Sequence, residues 1–389
     1  MKELTKRLPI LLTALLFTVL LSACNAIIET RGVDITFNLP ESPPPFIGED
    51  SISVSTQDEL ESEMLSMVRS REERGLFRIE LPSPYDIEYM VLAAIEQMSM
   101  EPLAAYATSA ITAIQEEGHG YVTIEIVIGY QKTLEQITGV RPVSNEVIFD
   151  ILLSQMLREG ETYLAMLSPP EIAGFGAIEE MILDYYYRQA LDIIVLPQTQ
   201  VGFFPGSGGE EQRIAVIELD FGFSQNTLSR KRAQLRLAAG ALIDALPENL
   251  TLPQQIRHLS YSLAESVHEN LEEVPQADLK ELRPLSTTAF GALVEASATS
   301  EGYAMAFKAL MDLLGVESHV VQGEREDERH VWNIVQIDGY YYHIDVSLLA
   351  LLGPEYTLFL SDEIMILQNG YSWDTRLYPT ADGPNLAFW

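Results

Sequence analysis

Three side chains that could do chemistry lie in the stretch from residue 298 to residue 345. Ser300 stands at the start of an apolar helical pattern, and His330 and Asp345 lie in a later β-rich run. An imidazole can take a proton from a hydroxyl during nucleophilic attack. A carboxylate can hold that imidazole in one tautomer and stabilise its protonated form. Ser300, His330 and Asp345 are therefore candidates for nucleophile, general base and orienting group.

A predicted β-hairpin would bring two of these residues together. Asp338-Gly339 separates two β-rich runs and predicts a two-residue turn. Counting back from this turn places Trp332 opposite Asp345 and makes His330 the diagonal neighbour of Asp345. Diagonal neighbours on one face of a sheet lie roughly 7–8 Å apart at the backbone, which is within side-chain reach.

A predicted helix would position Ser300. Apolar residues follow Tyr303 at helical spacing, and Gly315 is a natural helix stop. The apolar positions are Phe307, Leu310, Met311 and Leu314. The N-terminus of a helix is the positive end of its dipole and favours a nearby anion. Ser300 can therefore be read as a nucleophile, or only as the N-cap whose hydroxyl accepts from an amide of the first turn.

Two segments carry a family resemblance. They read Ala-Ser-Ala-Thr-Ser-Glu-Gly-Tyr-Ala (296–304) and HVWNIVQIDGYYYHIDV (330–346). They resemble the core of the transglutaminase-like superfamily, which shares its catalytic layout with papain-type cysteine peptidases. That family sets a Cys at the start of a helix, a His on a following strand and an Asp on the next. His330 and Asp345 match this pattern, and Ser300 stands where the family has its Cys.

The resemblance covers about residues 252–380, because segments such as 287–294 and 359–363 are also similar. The chain departs from the family at Ser300, and also at Ala296 and Ser297, where many bacterial members have Gly and Lys. A Cys can rest as a thiolate, whereas a serine hydroxyl must lose its proton during attack. A site shaped for sulfur places oxygen short of its target, and an error near 1 Å can cost on the order of 10²-fold.

Four further residues are candidates for lining a cleft, and they are Glu301, Tyr303, Trp332 and Tyr341. Tyr341 shares the alternation of Asp345, although sheet packing is the commoner role of such an aromatic residue. His343 also shares it, and we interpret it as a packed or edge histidine. The six His are scattered without metal-ligand spacing, so we expect no metal and no cofactor.

The N-terminal residues predict export and attachment to a membrane through a lipid anchor. Residues 1–23 combine a positive start with an apolar run that is too short for a comfortable span. Leu21-Ser22-Ala23-Cys24 resembles a bacterial lipobox, so we expect cleavage before Cys24 and an extracytoplasmic chain held on the bilayer by its acyl chains. The alternative is an ordinary signal peptide or anchor with an incidental Cys. Cys24 is the only Cys, which excludes an intrachain disulfide.

Composition bounds the partners. The formal net charge of −33 repels nucleic acid, so we expect no nucleic-acid partner. Residues 24–50 contain the run Pro43-Pro44-Pro45 and are predicted to form a semi-stiff tether after the lipidated Cys.

The region 51–248 is predicted to be an imperfect duplication. Residues 124–130 (IEIVIGY) resemble residues 217–223 (IELDFGF), and each follows a proline-marked helical pattern, over 84 to about 116 and 171 to about 191. The Gly-rich stretch 205–209 is interpreted as a hairpin loop, since it lacks the Lys and Ser/Thr of a phosphate-binding loop.

The predicted fold class is α+β. A C-terminal transglutaminase-like core (252–389), with a helix packed on an antiparallel sheet, follows two imperfect strand-helix-strand repeats.

Three functional hypotheses remain open. The first is a catalytically degenerate lipoprotein that binds a peptide, protein or cell-envelope component in the cleft that serves catalysis in the family. The second is an active amide or ester hydrolase, or acyl transferase, that uses Ser300, His330 and Asp345 as a triad. The third is a structural or interaction protein that acts through its repeated N-terminal region.

Overall fold

The computed structural model describes residues 51–79, 84–117, 121–168, 175–206, 212–270, 279–353, 356 and 358–384. The predicted signal peptide, Cys24 and the predicted tether lie outside these residues. The chain divides into two compact units, residues 1–138 and 139–389. Within the described ranges, no helix is long and apolar enough to cross a membrane.

The described part of the first unit is a four-stranded sheet with helices. Its elements are β1 (Ile52–Val54), α1 (Gln57–Ser70), β2 (Arg74–Ile79), α2 (Pro84–Met100), α3 (Pro102–Ala107), β3 (Thr108–Glu117), β4 (Val122–Tyr130) and α4 (Leu134–Thr138). The sheet order is β1-β2-β4-β3. The β1–β2 pair is parallel, and β4 pairs antiparallel with both β2 and β3.

The second unit begins with a sheet of the same design. Its first elements are β5 (Arg141–Pro142), α5 (Glu146–Glu159), β6 (Tyr163–Ser168), α6 (Phe175–Arg188), β7 (Gln198–Phe204) and β8 (Arg213–Asp220). The order is β5-β6-β8-β7, again with one parallel pair followed by two antiparallel pairs. The predicted duplication is thus present in the topology of the two sheets.

The first helices of the two repeats show how closely they correspond. Both α1 and α5 have 14 residues, and each buries its fourth, eighth, eleventh and twelfth residue. These are Leu60, Met64, Met67 and Val68 in α1, and Phe149, Leu153, Met156 and Leu157 in α5. Each helix begins after an N-cap residue, Thr56 for α1 and Asn145 for α5. The side chain of each N-cap accepts a hydrogen bond from a backbone amide of the first turn. The same spacing therefore builds the same packing in both repeats.

Each repeat is larger than the predicted strand-helix-strand unit. The helical pattern expected to reach about residue 116 ends at Ala107, and residues 108–117 form the strand β3. Pro102 starts a short separate helix, and β3 then pairs with β4 along its length. The predicted helix 171–191 spans Phe175–Arg188 among the described residues. The Gly-rich loop lies mostly outside the described residues, although β7 and β8 do form the antiparallel pair that it would connect.

The remaining elements complete the second unit. They are α7 (Gln225–Asp244), α8 (Leu252–Ser266), β9 (His268–Glu269), α9 (Ala289–Leu293), β10 (Ser297–Ala298), α10 (Ser300–Leu314), β11 (Ser318–Arg325), β12 (Glu328–Ile337), β13 (Tyr340–Ile344), α11 (Val346–Leu352), α12 (Glu363–Gln368) and β14 (Tyr371–Trp373). Strands β9 and β10 form a short parallel pair, and the other four form an antiparallel sheet of order β13-β12-β11-β14.

A helix packed on an antiparallel sheet lies at the centre of this unit, as the predicted α+β class requires. Helix α10 is buried along most of its length, and Asn333 of β12 donates to the Ala304 carbonyl at 3.0 Å. Gly315 ends α10 in the left-handed conformation that favours glycine. One continuous apolar core extends from the second repeat to β14, so the repeat and the C-terminal sheet share their packing.

Candidate active site

The predicted hairpin brings His330 and Asp345 into direct contact. Tyr340 pairs with Ile337 across the two-residue turn, which confirms the predicted register. Nε2 of His330 and Oδ2 of Asp345 lie 2.5 Å apart. The carboxylate is fully buried, whereas the imidazole keeps 17% of its side-chain surface exposed. The pair therefore combines a buried charge with a ring that solvent or a ligand can reach.

Asp345 is held by donors from several elements. Its Oδ1 accepts from the Ser347 hydroxyl at 2.7 Å and from the Leu348 amide at 2.9 Å, which makes Asp345 the N-cap of α11. Its Oδ2 accepts from the Tyr371 hydroxyl at 2.7 Å. Burial alone would raise the pKa of Asp345, but the charge and hydrogen bond of His330 and the donors Leu348 and Ser347 outweigh it and lower the pKa to about 2. Asp345 is therefore ionised at neutral pH.

An aromatic layer lies beside the pair. The ring of Trp332 stacks alongside that of His330, with centroids 6.2 Å apart, and Trp332 donates from Nε1 to Nδ1 of His343 at 2.9 Å. Trp373 meets the His343 ring edge-on at 4.7 Å. Burial lowers the pKa of His343 to about 3, so its ring is neutral with the proton on Nε2. His343 is thus a packed histidine, as the sequence suggested.

Ser300 is the first residue of α10 and not its N-cap. Thr299 takes the N-cap position, with extended backbone, and its amide donates to the Ser286 carbonyl at 2.9 Å. The cap interpretation of Ser300 is therefore wrong by one residue. Within the described part of the chain, the half-buried Ser300 hydroxyl forms no hydrogen bond, and neither does Nδ1 of His330. The serine lies at a helix N-terminus, but no base is hydrogen-bonded to it.

Glu301 is buried in an ion-pair cluster, contrary to the expectation that it lines an open cleft. The carboxylate is 1% exposed and accepts from both terminal nitrogens of Arg283, from Arg329 at 2.8 Å and from the Tyr187 hydroxyl at 2.9 Å. The Glu301–Arg329 pair joins the residue after Ser300 to the residue before His330. It therefore holds the start of α10 beside the start of β12.

The other cleft candidates also serve packing. Tyr303 is 1% exposed and donates to the Val267 carbonyl at 2.8 Å, and Trp332 is 1% exposed. Half-buried Tyr341 lies at the turn end of the hairpin and donates to Glu317 at 2.9 Å. His330 lies at the opposite end of β12, so Tyr341 does not share its surroundings. Periodicity located these residues on the right elements but could not tell a lining side chain from a core one.

Sequence reasoning missed the residues that hold Asp345 in place through its carboxylate or its backbone amide. Ser347 was detectable, since the predicted register places it opposite His330. Tyr371 had a weaker signal, since it lies only within the broad stretch 252–380 that the family resemblance covers. Tyr356 had none, because it reaches the Asp345 backbone amide from a loop.

Gly302 permits a close backbone approach that the start of α10 requires. A Cβ at this position would lie 2.2 Å from the Ser286 carbonyl oxygen. We expect Gly302→Ala to destabilise the second unit by about 1–3 kcal/mol or more, because the backbone segments must separate. Gly240→Ala in α7 is the matched control, since no atom beyond the neighbouring backbone of its own helix lies within 4 Å of its Cβ position. It should be neutral or stabilise by up to about 1 kcal/mol in urea unfolding, and equal effects of the two substitutions would contradict the prediction.

Among the described residues, no group of three His, Cys, Asp or Glu side chains could hold a metal ion.

Comparisons with known proteins give structural neighbours only. No protein-family model matches the sequence, and no curated protein matches it. The neighbours include a transglutaminase crystal structure, with 10% identity and a TM-score of 0.28, where the match covers 66% of each chain. They also include a provisionally assigned cysteine protease from Cytophaga hutchinsonii, with 10% identity and a TM-score of 0.26, where the match covers 46% of this chain and 69% of the other. The chain thus spans just under two thirds of the transglutaminase structure, and scores of this size carry no functional argument.

Proposed function

We propose that this chain is a bacterial lipoprotein, anchored through Cys24, whose transglutaminase-like domain is catalytically degenerate and binds a peptide or another cell-envelope component. The observation that carries the proposal is the intact His330–Asp345 pair, together with a Ser300 hydroxyl that forms no hydrogen bond within the described residues. The resemblance in sequence supports the family assignment. Acyl chains on Cys24, measured by mass spectrometry of the membrane-extracted protein, would support the anchor, and an unmodified N-terminal segment would contradict it.

The chemistry of serine supports a silent site. A serine hydroxyl becomes a nucleophile only when a base removes its proton during attack. The Ser300 hydroxyl has no such partner within the described residues, and its oxygen has a shorter reach than the sulfur of a cysteine. The His330 ring, by contrast, is oriented by Asp345 and keeps an accessible edge. Such a site can still hold a ligand where it no longer cleaves one.

An active Ser300–His330–Asp345 enzyme is the second candidate. One observation favours it: Nδ1 of His330 is not engaged by the described residues, so it is available to a hydroxyl. Catalytic hydrogen bonds are often long without substrate and tighten only in the complex. This candidate would act on amide or ester bonds.

A third candidate places the function in the repeated region. It is favoured by the first repeat, which belongs to a compact unit of its own. Partner binding kept by residues 51–248 would support it, and binding that requires residues 252–389 would contradict it.

A fluorophosphonate serine probe separates the first two candidates. The soluble protein that lacks residues 1–24 is compared with Ser300→Ala, Ser300→Cys and the control Ser297→Ala. We expect the fluorophosphonate probe not to label the parent. We expect a thiol probe to label Ser300→Cys, and adding His330→Gln to that variant should abolish the labelling. Parent labelling lost in Ser300→Ala but kept in Ser297→Ala would instead establish an active serine. An unreactive Ser300→Cys would show that the pair is not positioned toward residue 300.

A further inference from the structure

Tyr371 of the edge strand β14 contacts both members of the His330–Asp345 pair. Its hydroxyl donates to Oδ2 of Asp345 at 2.7 Å, the same oxygen that Nε2 of His330 engages at 2.5 Å. Its ring meets the His330 ring edge-on, with centroids 5.8 Å apart. Tyr371 is 2% exposed, so water does not replace this contact without a structural change.

The donors around Asp345 fill its acceptor capacity. A carboxylate offers about four lone-pair sites on its two oxygens. Two donors, from Ser347 and Leu348, occupy Oδ1, and two more, from His330 and Tyr371, occupy Oδ2. Removing any one of them leaves one buried lone-pair site of the carboxylate without a donor, which favours rotation of the carboxylate or entry of water. On Oδ2, such a rotation would change the direction of the bond to His330.

Tyr371 is a neutral donor, and this matters for the imidazole. Burial first, and the negative charge of Asp345 second, raise the pKa of the Tyr371 hydroxyl well above its usual value, so the hydroxyl keeps its proton. A lysine or arginine here would compete with His330 for the carboxylate charge. A hydroxyl holds the oxygen in place and leaves that charge facing the imidazole.

We propose that Tyr371 is a positioning residue that fixes Asp345 Oδ2 in the direction required to orient His330. The inference deepens the proposed function, because it concerns the same pair. It requires no turnover, however, and holds whether Ser300 is silent or reactive. A failed probe-labelling experiment would therefore leave it standing.

The test is Tyr371→Phe in the otherwise intact chain, read by NMR from the Nε2 proton of His330. We expect this proton to move upfield and to exchange with solvent at least about tenfold faster, since a hydrogen bond to a charged group is worth such a factor. Tyr356→Phe is the matched control. Tyr356 is also a buried tyrosine, but its hydroxyl accepts the Asp345 amide and donates to the Leu358 carbonyl, so it does not touch the carboxylate. Ser347→Ala, which removes a donor from Oδ1, should change the His330 proton less than Tyr371→Phe does.

Two results would overturn the inference. One is a His330 proton that stays unchanged in Tyr371→Phe, and the other is an equal change in Tyr356→Phe, which would indicate general loosening. If Tyr371→Phe fails to fold, the inference can still be tested by a measurement on the parent protein. There, the Tyr371 hydroxyl proton should exchange slowly and show a through-space cross-peak to the Nε2 proton of His330. A rapidly exchanging hydroxyl without this cross-peak would also reject the positioning role.

Discussion

Replacing Glu301 with glutamine should lower the free energy of unfolding of the second unit by about 3–5 kcal/mol, the range seen when one partner of a buried ion pair is removed. Glu301 is 1% exposed and Arg283 6% exposed at their side chains. Glutamine keeps the size of the side chain but removes the negative charge that faces Arg283 and Arg329. Two cations would then lie close together with no charge between them, one of them nearly cut off from water.

Tryptophan fluorescence during urea unfolding measures this effect in the relevant unit. All three Trp residues of the chain lie in residues 139–389, and Trp332 is buried in its sheet. Glu328→Gln is the matched control. Glu328 is exposed at the start of β12, the strand that contains Arg329, so this substitution should change stability by less than about 0.5 kcal/mol. A loss below about 1 kcal/mol in Glu301→Gln would mean that the cluster is not tightly paired.

A double variant separates the charge from the packing. Replacing Glu301 by leucine together with Arg283 by methionine removes both buried charges and keeps apolar volume. Such replacements are often neutral or stabilising when both partners go. We therefore expect the double variant to lose less stability than Glu301→Gln alone. If it loses more, the cluster contributes through its geometry and not mainly through the cost of an unmatched charge.

Much of the C-terminal core could be predicted because its signals are local. The turn at Asp338-Gly339 and the alternation around it determine the hairpin register, and the register alone brings His330 to Asp345. The helix that ends at Gly315 was equally accessible, from apolar spacing and a glycine stop. Each of these signals spans fewer than about twenty residues and depends on backbone geometry that few sequences share.

The role of Glu301 could not be predicted because its partners are distant in sequence. Tyr187 lies 114 residues away, Arg283 lies 18 away and Arg329 lies 28 away. No periodicity links these positions, and a charged residue on a helix is normally expected at the surface. Tertiary packing also determines the conformation of residues 108–117. Their alanine and glutamate residues favour a helix, but pairing with β4 makes them the strand β3.

The buried histidine His343 should make the second unit progressively less stable as the pH falls below about 6.5. In the folded protein, burial lowers the pKa of His343 to about 3, whereas an unfolded histidine has a pKa of about 6.5. Between these values the unfolded chain binds a proton that the folded chain does not. Stability contributed by the neutral ring is therefore complete above pH 6.5 and is lost toward pH 3, by up to about 1.4 kcal/mol per pH unit.

The hydrogen bond from Trp332 to His343 adds to the effect of burial in opposing protonation of the ring. Nδ1 of His343 accepts from Nε1 of Trp332 at 2.9 Å, and a protonated Nδ1 could no longer accept. Adding the proton would therefore set two donors against each other inside the core. The ring would have to move out of contact with Trp332, which stacks alongside His330.

Urea unfolding of the parent and of His343→Gln, followed by tryptophan fluorescence from pH 7 to pH 4, tests this account. Glutamine can still accept from Trp332 but cannot take up a proton, so the stability difference between the two proteins should shift in favour of the variant as the pH falls. Asp345, with its lowered pKa, is present in both proteins and cancels from the comparison. His319→Gln is the control, because the His319 ring keeps a third of its side-chain surface in solvent and should follow the parent closely. Parallel curves for the parent and His343→Gln would show that His343 does not stay neutral because of its burial.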